Sequence, residues 1–151
     1  MIETYALDVH AGALTSLPDR SMKTPGFAGG TCVSPDGNLL LAVSVFSDEL
    51  YLFDLQTCKI IGQTDTGPMP YDVGINPEGD EACVSCEKSD EVDFFDISDP
   101  TDIHKITTLP TQKNPEALWV DPGGSRLYVT SQTTDGNVAV LDVVYANGVS
   151  A

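Results

Sequence analysis

Basic residues are scarce in this sequence. Lys and Arg number 7 against 23 Asp and Glu, so the 151 residues carry a formal charge of -16. A surface of that sign opposes the attraction on which phosphate-backbone binding depends, which excludes nucleic acid as an expected partner. Anionic membranes are excluded on the same ground, and acid excess of this kind is compatible with solubility in a saline habitat. Long apolar runs are also missing: no stretch approaches the roughly 20 residues of a membrane-spanning helix, so no membrane insertion is expected. The opening MIETYALDV has an acid where a secretory signal has a basic region. The expected compartment is therefore cytoplasmic for the chain as written, or periplasmic or cell-surface if it belongs to an exported protein.

Cysteine and histidine are too few and too dispersed to suggest a framework or a metal centre. Cys32, Cys58, Cys83 and Cys86 are irregularly spaced for a disulfide scaffold, and free thiols are expected. Cys83-Val84-Ser85-Cys86 has C-x-x-C spacing, but residues three apart on a strand point to opposite faces, which fits two packed thiols better than a shared metal or disulfide. His10 and His104 each stand beside a turn, with nothing to bring them together. Ser-His-Asp patterns, Gly-rich phosphate loops and EF-hand spacing are absent. Ser89-Asp90-Glu91-Val92-Asp93, the one local cluster of acids, reads as a solvated loop entering a strand. Neither a metal nor a cofactor is expected.

What the sequence has is repetition. Glu49-Leu50-Tyr51-Leu52-Phe53-Asp54-Leu55 recurs in pattern at residues 3–9, 91–97 and 137–143, and each copy ends apolar, Asp, apolar. The aspartates Asp8, Asp54, Asp96 and Asp142 are spaced by 46, 42 and 46 residues, a period typical of repeat architectures. A second signal keeps step with the first. Ser34-Pro35-Asp36-Gly37, Asn76-Pro77-Glu78-Gly79 and Asp121-Pro122-Gly123-Gly124 are tight turns in which Pro fixes one φ and Gly supplies a positive one. From Gly37, Gly79 and Gly124 to the next repeat aspartate is 17, 17 and 18 residues, and the extra residue of the last copy is expected at Asp135-Gly136.

Each repeat reads strand, Pro-Gly turn, strand, polar loop, organising strand, Asp turn, strand. Four short strands in 42 to 46 residues is the size of one propeller blade. The organising strand is apolar on both sides, Leu7, Phe53, Phe95 and Leu141 on one and Ala6, Leu52, Phe94 and Val140 on the other, as a strand sandwiched between neighbouring sheets requires. The aspartate after it has a structural role, accepting a backbone N–H two residues on in an Asx-turn that stops the strand. The expected fold is all-β, with blades of four antiparallel strands. Residues 1–26 supply the last two strands of a blade and a surface loop from Pro18 to Gly26, residues 27–68 and 69–113 one blade each, and residues 114–151 three further strands. That is about three and a quarter blades, short of the roughly four to eight of a closed ring. The expectation is either part of a longer, about seven-bladed propeller or a ring completed between copies.

Tyr128-Val129-Thr130-Ser131 after its Pro-Gly turn, with Leu41-Ala42-Val43-Ser44 and Cys83-Val84-Ser85-Cys86 as looser copies, resembles the YVTN-type β-propeller repeat. Gly67-Pro68-Met69-Pro70 and Asn114-Pro115 are similar to that family's entry into its first strand. Residues 7–15, LDVHAGALT, resemble a segment of the seven-bladed lactonases related to 6-phosphogluconolactonase. Asp96-Ile97-Ser98-Asp99-Pro100 is similar to repeats of cell-surface LVIVD proteins. The Gly-His and Trp-Asp markers of WD40 repeats are absent.

These resemblances imply an architecture more firmly than a chemistry, because one propeller fold hosts many functions. Connections between blades border the mouth of the central channel. Here they are residues 18–26, 64–70 and 110–115, holding Arg20, Lys23 and Lys113 against Asp19 and Asp65, a net of +1 in an acidic chain. The candidate ligand residues are therefore Arg20, Lys23, Asp65, Lys113 and Asn114, and the partner a small anionic ligand or a protein. The leading expectation is a binding module without a catalytic constellation. The lactonase resemblance implies an alternative, a lactone hydrolase, and a further alternative is a redox propeller of the quinoprotein or cytochrome d1 kind.

Overall fold

The computed structural model describes residues 1–132, and residues 138–142 by their backbone. The expectations for Asp135-Gly136, the Asp142 side chain and the segment after it lie outside the described residues. The chain begins with a hairpin, β1 (Tyr5–Asp8) and β2 (Ala13–Ser16), and a 3-10 turn at Pro18–Arg20. Two four-stranded antiparallel sheets follow in simple sequence order. The first is β3 (Ala28–Val33), β4 (Leu39–Ser44), β5 (Glu49–Asp54) and β6 (Lys59–Asp65); the second is β7 (Pro70–Ile75), β8 (Glu81–Cys86), β9 (Glu91–Asp96) and β10 (His104–Pro110). A third sheet holds β11 (Pro115–Val120), β12 (Arg126–Ser131) and β13 (Val138–Asp142).

The sheets stack face to face because their central strands are apolar on both sides. Leu41, Val43, Leu50 and Leu52 leave the first sheet and meet Val73, Ala82, Val84, Cys86 and Phe95 of the second. The opposite face of the second sheet sends Cys83, Val92 and Phe94 against Leu127 and Val129 of the third. The innermost strands approach most closely, and glycine permits it. A Cβ on Gly29 would stand 2.7 Å from the Tyr71 carbonyl oxygen, and one on Gly30 2.7 Å from the Asp72 Cα, so β3 and β7 pack backbone on backbone. Irregular register recurs in all three innermost strands, at Ala28/Thr31, Pro70/Asp72 and Pro115/Leu118, as expected of bulges that bend a strand. Gly37, Gly79 and Gly124 take φ of 74°, 82° and 68°, the left-handed conformation that a Pro-Gly turn demands.

Two expectations need correction at the N-terminal side. The hairpin strands are exposed along their whole length, with Leu7 63% and Leu14 67% accessible, so β1 is not sandwiched as β5 and β9 are. No described sheet lies against its outer side. Residues 18–26 are also not simply a surface loop: Met22 is buried against Leu40, Ala42, Tyr51 and Phe53, with Ile2 beside it through an Ile2–Met22 bridge. Apolar side chains in the N-terminal segment thus cover the first sheet's free face.

Candidate functional site

The first two blade sheets are built alike at one end. There the turns after β4 and β8 meet the connections that lead from β6 into β7 and from β10 into β11. Asp48 and Asp90 hold these pieces together. Asp48 takes φ 55°, accepts Met69 N–H through Oδ1 at 2.7 Å and Thr66 N–H through its carbonyl at 2.9 Å. Asp90, at φ 57°, does the same for Asn114 N–H at 2.9 Å and Thr111 N–H at 2.8 Å. Met69 and Asn114 are themselves left-handed, at 58° and 50°, and their carbonyls accept from Glu87 N and Gln132 N. Asp tolerates this conformation better than most side chains and supplies the acceptor that fixes the neighbouring connection.

Hydroxyl groups fill the layer beneath. Thr66 Oγ1 and Thr111 Oγ1 each donate at 2.9 Å to the carbonyl of the following residue, Gly67 and Gln112. In the first blade the corresponding carbonyl, Pro25, takes its bond from Ser44 Oγ at 2.7 Å instead, and Thr24 Oγ1 is buried without a partner. Ser131, which corresponds to Ser44, is the one left unpartnered where Thr111 holds the carbonyl. One carbonyl serves one hydroxyl of each pair.

Cys86 takes the serine's place in the second blade, and below it lies a buried charge. Asp93 has no exposure; its Oδ2 accepts from Lys105 Nζ and Gly67 N, both at 2.7 Å, and its Oδ1 from Thr108 Oγ1 at 2.6 Å. Cys86 Sγ stands 3.6 Å away. Burial alone would push the Asp93 carboxyl up, but these donors outweigh it and hold it below the ordinary carboxylate range. The reading of Ser89 to Asp93 as a solvated loop is therefore corrected: Asp90 is a clamp and Asp93 an interior ion. Asp72 links neighbouring blades similarly, accepting Leu118 N through Oδ2 at 2.9 Å, while Ser85 Oγ donates to Glu116 O at 2.5 Å.

The candidate ligand residues do not all meet. Lys113 is exposed and Asn114 half-buried in the connection that Asp90 clamps. Asp65 is exposed at the end of β6, paired in register with Glu49. Arg20 lies elsewhere: its Nη2 donates to Leu55 O at 2.6 Å, beyond the Asp54 end of β5 and so opposite the Glu49 end where Asp65 stands. Lys23 is exposed just after the buried Met22. The turn aspartates occupy that opposite end. Asp8 Oδ1 accepts from His10 N and Ala11 N, Asp96 Oδ1 from Ser98 N, and Asp54 Oδ1 from Thr57 N one residue further on. His104 Nε2 is 3.7 Å from Asp96, in a different sheet from the N-terminal hairpin that carries His10. All four thiols are free, and Cys83 and Cys86 lie on opposite faces of their sheet. No group of His, Cys, Asp or Glu suited to a metal occurs among the described residues.

Asp48, Asp72, Asp90 and Asp93 were not singled out from the sequence as members of this end. The repeated triplet Ser47-Asp48-Glu49 and Ser89-Asp90-Glu91 was the available signal for the clamps.

Four-stranded antiparallel sheets stacked on their innermost strands define a β-propeller, and the chain is a propeller module. Known proteins agree. It is 29% identical over 121 residues to the seven-bladed beta-propeller protein Rv1057 of Mycobacterium tuberculosis, a match covering 78% of this chain and 30% of that one. Hydrazine synthase of Kuenenia stuttgartiensis superposes with a TM-score of 0.73 at 22% identity, over 93% of this chain and 40% of that chain. A candidate 6-phosphogluconolactonase of Bacteroides uniformis gives 0.71 at 20% identity, over 96% and 48%. No family model matches. At these identities the solved structures speak for the fold alone, and the chain spans less than half the length of each of these proteins.

Proposed function

We propose that this chain contributes blades, bounded as 1–26, 27–68, 69–113 and 114–151, to a larger propeller ring of about seven blades, completed by a longer chain or by association. Its role is to present the clamped end of those blades to a ligand. The observation that supports this reading is the repeated clamp of Asp48 on Met69 N and Asp90 on Asn114 N, which holds the inter-blade connections in one conformation. A rigid connection loses little entropy when it binds. Lys113 stands exposed on one such connection, with the Asn114 side chain beside it, and the ligand suited to that pair is a small carboxylate or phosphate. Arg20, anchored near the opposite end of the first blade, is not part of this grouping.

The test is an NMR titration of the protein with 6-phosphogluconate and, separately, inorganic phosphate. Shifts centred on Gln112, Lys113 and Asn114, lost in Lys113→Ala, are expected. Saturable shifts only at the Asp54 and Asp96 turns would overturn the assignment. The likeness to the candidate 6-phosphogluconolactonase favours a second reading, lactone hydrolysis at the same end. It requires proton release from the lactone by a preparation containing the whole ring, reduced by Lys113→Ala. A whole ring that binds the acid without hydrolysing the lactone leaves the binding module as the function.

A further inference from the structure

We infer that the clamped end of the first blade is a docking surface for a basic protein segment with an apolar anchor, which seats on Phe27 and Phe46 while its cations reach Glu49 and Asp65 on the outer strands of the same end. Phe27 and Phe46 are 61% and 77% exposed, yet their rings pack against each other, with centroids 5.8 Å apart and planes tilted by 43°. The corresponding positions of the second blade hold Met69 and Lys88. The fold itself therefore does not require an aromatic pair here. The backbone beneath is fixed by Val45 N to Phe27 O at 2.9 Å, Asp48 N to Ser44 O at 3.1 Å and Ser44 Oγ to Pro25 O. Aromatic side chains on a rigid backbone make binding anchors, because burying them removes much apolar area from water for little lost entropy.

Charge identifies the partner. Glu49 and Asp65 face each other directly in the β5–β6 register, an arrangement that is destabilising for like charges. Among the described residues neither carboxylate has an ion-pair partner, although Glu49 accepts a hydrogen bond from the Tyr51 hydroxyl. A lysine or arginine placed between them relieves that repulsion. The net charge of -16 draws such a partner in and repels an acidic one. The surface belongs to a different blade from Lys113, so this inference does not rest on the small-ligand reading.

The experiment uses fluorescence anisotropy with a fluorescein-labelled peptide alternating Lys with Leu and Phe. A Lys-Gly peptide of equal charge and a Glu-Leu-Phe peptide are the comparators. The Lys-Leu-Phe peptide is expected to bind most tightly. Phe46→Ser and Phe27→Ser should each weaken it by about tenfold or more, and Glu49→Gln with Asp65→Asn should flatten its salt dependence. Equal binding by the Lys-Gly peptide, or full binding by Phe46→Ser with an unchanged circular dichroism spectrum, would reduce the effect to non-specific charge attraction and overturn the inference. Tighter binding of the acidic peptide, or no binding at all, would overturn it too.

Discussion

Lys105 donates to Asp93 across 2.7 Å, from the outermost strand of the second blade to a carboxylate that has no contact with solvent. The same carboxylate receives Gly67 N–H from the connection between blades, so one ion ties rim, interior and clamped end together. A buried charge persists only when its desolvation is offset by several good donors, and Asp93 has three within 2.7 Å.

Removing that carboxylate should be costly. Asp93→Ala leaves Lys105, Thr108 and Gly67 N–H without their acceptor, and a loss of about 3 kcal/mol is expected in urea unfolding. Partial exposure of Lys105 keeps it from the top of the range for buried pairs. Asp93→Asn, which retains an acceptor oxygen, should lose less.

Acid should unfold the protein by the same route. The Asp93 carboxyl is held below its ordinary range in the folded chain, so its contribution is complete above the unfolded value of about 3.9 and disappears as pH falls through the lower folded value. Asp54 and Asp96 shift in the same direction, through the Thr57 and Ser98 hydrogen bonds. Unfolding free energy from these groups should be flat between about pH 7 and pH 5, then decline below about pH 4, less steeply in Asp93→Asn.

Two glycines should behave differently on replacement. Gly30→Ala puts a methyl into the Asp72 backbone and forces β3 from β7, at an expected cost of about 2 kcal/mol or more. Gly37→Ala meets open space, and only its positive φ opposes the substitution, at about 1 kcal/mol. Paired thermal and urea melts would reveal the ordering.

The thiols should separate by burial. Burial pushes the Cys83 thiol up to about 12, and Cys86 is raised further by burial and the Asp93 charge. Iodoacetamide at pH 8 is expected to label the part-buried Cys32 and Cys58 first, and Cys83 and Cys86 only after urea is added, read by peptide mass spectrometry.

Asp48 should matter locally more than globally. Asp48→Ala removes the acceptor of Met69 N–H and keeps an unfavourable φ, so faster hydrogen exchange at Thr66 and Met69 is expected, with a stability loss of about 1 to 2 kcal/mol. Asp48→Asn should restore most of the protection.

Much of the fold was legible because repetition multiplies weak signals. A single Pro-Gly turn is ambiguous, but three of them in step with the aspartates at 54, 96 and 142 define strand number, order and sheet size. Apolar residues on both faces of residues 50–53 and 92–95 required cover on both sides, which neighbouring sheets supply for 92–95, and the second sheet with the N-terminal segment for 50–53. Local composition determines such features, since turn geometry and the two-residue period of a strand depend on residues near in sequence. It determined little of the candidate site. Whether Asp93 lies in water or beside Lys105, whether Arg20 reaches the clamped end or Leu55, and whether Met22 is buried all depend on which strand lies against which. Those neighbours are brought together by the stacking of the sheets. Tertiary structure alone could decide them, because the environment of a charge is set by atoms far away in sequence, which a local pattern does not specify.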